Sequence, residues 1–412
     1  MIETNFKHTD IGPIPHDWEI TPLNELFEFG NGYTPSTENP KFWSNRGLPW
    51  FKMEDIRKNG RILSDSILHI TPEAVKSSGL FPAGSFIIST TATIGEHAWL
   101  IADSLANQRF TFLKKGKSLK DIDSWYFFFK LFEIGEWCRN NVSKSTLLSV
   151  NMTGLKSYLV SHPSDKKEQQ RIGKALSDVD GLIEGLRKLI EKKRNIKQGA
   201  MSRLLSGSLR LPGFNKSWEN FRIGDLSSVQ AGATPSTEKS EYWNGDIRWM
   251  NSGEINLKYV REVQNRITQK GYDSTSTHML PLHCVLLGLA GQGKTRGTAA
   301  INLVELCTNQ SIAAIYPSDC FDSFFLYHLL DSKYSDLRML SSGEGTRGGL
   351  TKRQIENIEL LMPTDLAEQS AIAKVLTDMD AEIEGLEKKL AKYGQVKQGM
   401  MKQLLTGKIR LI

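Results

Sequence analysis

Between residues 172 and 190 the apolar side chains fall at Ile172, Leu176, Val179, Ile183, Leu186 and Ile190, with polar and charged residues between them. The steps of four and three alternate, which is the seam of a helix that pairs with another helix. The same spacing returns at Ile372, Leu376, Met379, Ile383, Leu386 and Leu390. Asp165 and Asp365, just past the Pro163 and Pro363 turns, suit helix N-caps, and Gly207 and Gly407 suit helix stops. The pattern therefore predicts a helix over 168–205, roughly 57 Å long at 1.5 Å per residue, and a second one like it. Paired antiparallel, the two would act as a ruler between the bodies they join. The plainer alternative is that each helix packs only on its own body.

Outside the helices the pattern changes. Short strand-like runs (Gly84-Ser-Phe-Ile-Ile-Ser-Thr; Cys284-Val-Leu-Leu) alternate with apolar helical stretches (Trp125-Tyr-Phe-Phe-Phe-Lys-Leu-Phe; Phe324-Phe-Leu-Tyr-His-Leu-Leu). This predicts an α+β (mixed α/β) fold: two globular bodies joined by two long helices that pair as an antiparallel coiled coil. The boundaries fall at 1–163 and 212–363 for the bodies, and at 164–211 and 364–412 for the helical segments. The aromatic stretches are too short to span a membrane and are expected to be core helices.

The chain is one unit written twice. Residues 168–211 and 368–411 align without a gap at an offset of 200, with 22 of 44 positions identical. The bodies share landmarks instead: Trp18 with Trp218, Leu26 with Leu226, Trp43 with Trp243, and Gly-x-Thr-Pro-Ser-Thr-Glu from Gly32 and again from Gly232. The offset then slips. Trp50 stands opposite Trp249, and Asn107-Gln108 opposite Asn309-Gln310, before the frame closes again at Pro163 and Pro363. Matched helices on drifting bodies imply two related tasks on different targets.

Composition narrows the classes. With 412 residues, 39% hydrophobic and 24% charged, the chain has the make-up of a globular protein of two or three domains. No run of 18 apolar residues is present, and the first residues lack a signal-peptide layout, so a cytoplasmic location away from membranes is expected. Cys138, Cys284, Cys307 and Cys320 are scattered, so neither a disulfide framework nor a cysteine zinc site is expected, and His283-Cys284 is read as core. Of the net charge of +6, the two helical segments carry +7, leaving the rest at −1. An anionic partner of the bodies must be met by local patches.

Such patches are written into equivalent loops. The first copy carries Thr90, Thr91 and Thr93, then Asn107, Gln108 and Arg109, then Lys144, Ser145 and Thr146. The second carries Gln292, Lys294 and Arg296, then Asn309 and Gln310, then Thr346 and Arg347. These are the side chains that pair with base edges and hold phosphates, so the loops are candidate DNA contacts. One stretch offers a different reading. Gly288 to Thr295 matches the phosphate-cradling pattern GxxxxGK[ST]. The repeat argues against it: the aligned stretch of copy one lacks the lysine and the glycines, and Gly297 is a poor start for the helix a P-loop needs. No HExxH, GxSxG or aminomethyltransferase tetrapeptide appears, so no catalytic set and no metal site are expected.

The ordered set of features resembles the specificity (S) subunits of type I restriction-modification enzymes. It rests on the two bodies, the Gly32 to Ser36 and Gly232 to Ser236 motifs, and the Ile196 to Gly199 and Val396 to Gly399 helix ends with Leu-Leu-Ser/Thr-Gly beyond them. It rests also on the turn into each helix, taken as Pro163 to Gln170 and, one place shorter, Pro363 to Gln369. The resemblance implies that each body is a target recognition domain reading half of a split, asymmetric site in double-stranded DNA. It implies that the helices fix the spacer and dock two methyltransferase subunits, through which motor-nuclease subunits join. S-adenosylmethionine, ATP and Mg²⁺ would be used by those partners, with no cofactor on this chain and no catalysis by it. A stand-alone sequence-specific DNA-binding regulator is the alternative, and a P-loop ATPase a weaker one.

Overall fold

The computed structural model describes residues 5–76, 79–116, 120–143, 148–291, 294–340 and 349–412. The chain forms two compact units, Met1–Leu186 with Lys389–Ile412, and Arg187–Lys388. The 200-residue repeat is thus cut inside each helix, and the last 24 residues belong with the first body.

Both bodies are built on one plan, mixed helix and sheet. In the first, a five-stranded sheet runs in the order Glu28–Asn31, Phe110–Lys114, Phe86–Ser89, His97–Leu100, Ile62–Leu63. All neighbours are antiparallel except the last pair. In the second body the order is Val229–Ala231, Ile312–Ile315, Val285–Gly288, Ala299–Asn302, Tyr259–Val260, with the same senses. The strands Phe86–Ser89 and Val285–Gly288 are buried at every position, which is why they read as continuous apolar runs.

The aromatic stretches are core helices, Ser124–Asn140 and Ser323–Ser332. Asp123 and Asp322 cap them, accepting the Tyr126 and Phe325 amides at 2.9 Å. Tyr126, Phe127, Phe129, Phe325 and Tyr327 are sealed from solvent. Among the described residues no helix is long and apolar enough to cross a membrane. The cysteines are unpaired; Cys284 is core, while His283 is exposed and lies 5.2 Å from the Phe324 ring.

The long helices are Lys166–Leu204 and Leu366–Leu404. Asp165 and Asp365 cap them by accepting the Lys167 and Ala367 amides, at 2.9 and 3.1 Å. Past each far end, Gly207 and Gly407 take φ near +70°, which a glycine adopts without the clash a Cβ brings. A Cβ there would also press on Trp218 in one unit and on Trp18 and Pro15 in the other. The turn glutamine is Gln169, not Gln170. Gln169 accepts the Asp123 amide and donates to the Pro163 carbonyl, both at 2.8 Å. Gln369 does the same to Asp322 and Pro363, at 2.9 Å each. Both turns therefore have one length, and adjacent glutamines in copy one hid this.

Within each unit the two helices run antiparallel. In the second unit Lys193 meets Glu382 and, one turn further on, Lys197 meets Asp380, so the partner's number falls as the first helix advances; Arg194 reaches Glu387 beside them. In the first, Lys397 meets Asp180 at 2.6 Å and Arg410 meets Glu168 at 2.7 Å. The seam residues serve two purposes. Ile172, Leu176, Ile372 and Leu376 are fully buried in the cores of the bodies, so the first turns do pack on their own domain. Ile183, Leu186, Ile190 and Ile383 are buried further along, while Val179, Met379, Leu386 and Leu390 are half-buried. Each core is completed by the far end of the other helix: Leu404 and Leu405 enter the first body, Met201, Leu204 and Leu205 the second.

Candidate nucleic-acid interface

The landmarks scattered along the sequence converge in each body. Gly32 lies flat against the Ala106 and Asn107 carbonyls, where an added Cβ would stand 2.3 Å from either oxygen. Gly232 lies in the same way on the Thr308 carbonyl. Only glycine permits that approach. It brings the Thr-Pro-Ser-Thr loop alongside the Asn-Gln loop. Thr34 donates to the Gln108 side-chain oxygen at 2.6 Å, and Thr234 donates to that of Gln310.

Two tryptophans clamp each loop. The Trp43 indole N–H donates to the Ser36 carbonyl at 3.0 Å, and Trp50 to the Tyr33 carbonyl at 3.0 Å. In the second body Trp243 donates to Ser236 at 3.1 Å and Trp249 to Ala233 at 3.0 Å. The rings of each pair meet edge to face at 5.0 Å, a contact worth about 0.5–1.5 kcal/mol beyond burial. Pro35 and Pro235 are buried; Ser36, Thr37, Ser236 and Thr237 are exposed.

A β-hairpin tip stands beside each Asn-Gln loop. Thr90 N–H donates to the Arg109 carbonyl at 3.0 Å, and Leu289 N–H to the Ser311 carbonyl at 2.8 Å. The candidate side chains then divide by what they touch. Gln108, Arg109, Gln310 and Lys294 are exposed, and Thr91 and Arg296 half-exposed. Asn107 and Asn309 are half-exposed, their side-chain oxygens accepting the Arg109 and Ser311 amides at 3.1 Å and shaping the loop. Thr90 is buried and bonded to Thr111 at 3.1 Å, and the Thr93 hydroxyl is buried. Lys144, Ser145, Thr146, Gln292, Thr346 and Arg347 lie outside the described residues.

Several nearby cations are already engaged. Lys76 sits 4.7 Å over the Tyr33 ring. Arg248 and Arg266 both bind Glu262. The Val263 amide and those two guanidinium groups hold the Glu262 carboxyl at about 2. Among the described candidates, Arg109 and Lys294 are the fully exposed cations, with Arg296 half-exposed.

The described parts of the Gly288 to Thr295 stretch lack the setting of a phosphate cradle. Val285–Gly288 is followed by Ala299–Asn302, which pairs with it antiparallel, where a P-loop requires a helix. Thr295 spends its hydroxyl on the Ala290 carbonyl at 3.0 Å, and Gly297 N–H closes the turn on Gly288 at 2.9 Å. Among the described residues no group of three His, Cys, Asp or Glu side chains is placed to hold a metal.

The tryptophans, Thr34, Thr234 and the two close-packed glycines were not read as site residues from sequence. Their signal was present, because Gly-x-Thr-Pro-Ser-Thr-Glu followed by two tryptophans occurs in both copies.

A family model for the type I restriction modification DNA specificity domain matches this chain twice, at residues 15–192 and 215–392. The chain belongs to that family. Each match spans one body and most of the long helix after it, so the repeat seen in sequence is the family's domain taken twice. The specificity chain is 48% identical over 164 residues to the EcoprrI specificity subunit of Escherichia coli, a match covering 40% of each chain. It is 24% identical to the MjaIX specificity subunit of Methanocaldococcus jannaschii over 99% of this chain and 97% of the relative. Its fold matches a type I restriction-modification S subunit from M. genitalium with a TM-score of 0.64 at 14% identity, covering 98% and 97% of the two chains. A chain from a type I R-M system matches with a TM-score of 0.57, also at 14% identity, over 96% and 99%. The specificity chain thus carries two DNA-specificity domains on two long helices.

Proposed function

We propose that each body reads one half of a bipartite, asymmetric site in double-stranded DNA. The two long helices set the spacing between the halves. The observation that carries this reading is the pairing of one loop framework with two different sets of exposed side chains. Arg109 in the first body is replaced by Ser311 in the second, and the tip around Thr91 by one carrying Lys294. A shared framework with different readers suits two different half-sites.

In this reading the kept helical segments dock two methyltransferase subunits, and motor-nuclease subunits join through them. Apolar residues stand exposed in matched pairs at the 200-residue offset, Ile196 with Val396 and Leu209 with Ile409. Apolar surface kept twice on the conserved part supports two copies of one partner. S-adenosylmethionine, ATP and Mg²⁺ belong to those partners; this chain supplies recognition without catalysis and works in the cytoplasm, where the DNA is.

The test is binding of labelled duplexes by the full chain with and without its methyltransferase, at fixed salt. The expected result is sequence-selective binding by the complex that depends on both bodies. Full selectivity by the chain alone, with no methyltransferase taken up, would favour the stand-alone regulator.

A further inference from the structure

The two bodies differ most where bases are expected to be read, yet one exposed contact is the same in both. Thr34 and Thr234 each donate to the side-chain oxygen of a glutamine, Gln108 or Gln310. That bond fixes the amide so that its NH₂ group faces away from the threonine. Both glutamines are exposed, and the bond joins the Trp-clamped loop to the Asn-Gln loop in either body.

The packing roles in this region are filled by other residues: the indoles hold the loop, the glycines allow its approach, and the asparagines shape the turn. A protein that reads two different half-sites with one kept donor must aim that donor at something both half-sites share. The sugar–phosphate backbone is that feature, and neutral amide donors are common partners of phosphate oxygens. Glu38 and Glu238 are also kept and exposed. A carboxylate repels a phosphate, which places the contact at the Thr–Gln end of the loop.

We propose that the side-chain amides of Gln108 and Gln310 donate to DNA phosphates and set the register of each body on its half-site, while the neighbouring residues that differ, Arg109 and the Lys294 hairpin tip, read bases. This rests on the loops being the DNA face, as proposed above.

The experiment uses the full chain assembled with its methyltransferase. Duplexes carry the mapped cognate site and every single base-pair change in each half. Gln108→Ala and Gln310→Ala are expected to weaken all duplexes by one common factor, about three- to ten-fold, leaving the ratio of cognate to altered sites unchanged. Gln108→Glu keeps the size and the acceptor, so it preserves the fold, but it puts a charge against the phosphate; a larger common loss is expected. A loss concentrated at one base pair, such as an adenine, would overturn the proposal, because the glutamine would then be a base reader. So would unchanged affinity in all three variants. Arg109→Ala and Lys294→Ala separate the two levels. If these also leave binding untouched, the loops are not the DNA face, and the underlying reading fails with the proposal.

Discussion

Arg410, two residues before Ile412, closes the first unit. Its guanidinium grips Glu168 through two bonds at 2.7 Å and Asp17 through two at 2.8 and 2.6 Å. Glu168 is almost wholly buried, so removing its partner strands a charge in the interior. Arg410→Ala is expected to destabilise the first unit by about 3–5 kcal/mol, seen as faster hydrogen exchange in the Trp18–Pro22 strand. Arg410→Lys should recover only part of it, since lysine cannot form the paired fork. Unchanged exchange in Arg410→Ala would contradict the assignment. Two histidines give a pH signature. Burial, then the Arg61 charge, pushes His97 down to about 3; burial, then Lys197, does the same to His328. An unfolded imidazole titrates near 6.5, so both folded values lie below the unfolded one. Their contribution is complete above about pH 6.5 and is lost as pH falls toward 3, at about 1.4 kcal/mol per pH unit for each. The urea midpoint should be flat above pH 7 and fall between pH 6.5 and 5; a constant midpoint there would refute it. At this scale sequence gave residue types more readily than roles. Asn107 and Asn309 have the chemistry of base readers but hold turns, because a short amide beside a tight loop meets its own backbone first.

The long helices show what a periodic pattern can and cannot convey. The heptad spacing located both helices within a few residues, yet spacing reports one apolar face and not what covers it. Ile172 and Leu176 are covered by the first body and by residues near the chain's C-terminal end. The cross-helix ion pairs were equally out of view, since Lys197 and Asp380 are 183 positions apart. They explain two kept motifs at once: the lysine of each Lys-Gln-Gly end faces an Asp of the Asp-x-Asp stretch. Lys197 and Asp380 are mostly buried, so Lys197→Asp should cost about 1–3 kcal/mol. Adding Asp380→Lys should restore most of that in denaturant unfolding, and failure of the double variant to recover would show that the pair does not act as a unit. The hairpin at Gly288 makes a further prediction. The isolated chain should show no ATP binding by calorimetry. ATP binding that is lost in Lys294→Ala would restore the P-loop reading.

For the whole molecule, the repeat made the two-body plan legible, and the structure added that the two sheets share one strand order. The closing of the first unit by residues 389–412 was not legible, because nothing in a linear repeat says that its last segment returns to its first body. The matched body boundaries make an exchange of bodies practicable: Trp18 pairs with Pro163, and Trp218 with Pro363, in one register. The helices make a second, independent prediction. Adding one heptad to each should change the spacer and leave the half-sites as they were; an unchanged spacer would end the ruler idea. The central claim, that each body reads its own half of a split site, is tested most directly by mapping DNA methylation genome-wide in cells carrying this chain and its methyltransferase, before and after residues 18–163 are exchanged for those of another family member. The account predicts a bipartite motif in which one half changes while the other half and the spacer stay. An undivided motif, or one that changes in both halves, would contradict it.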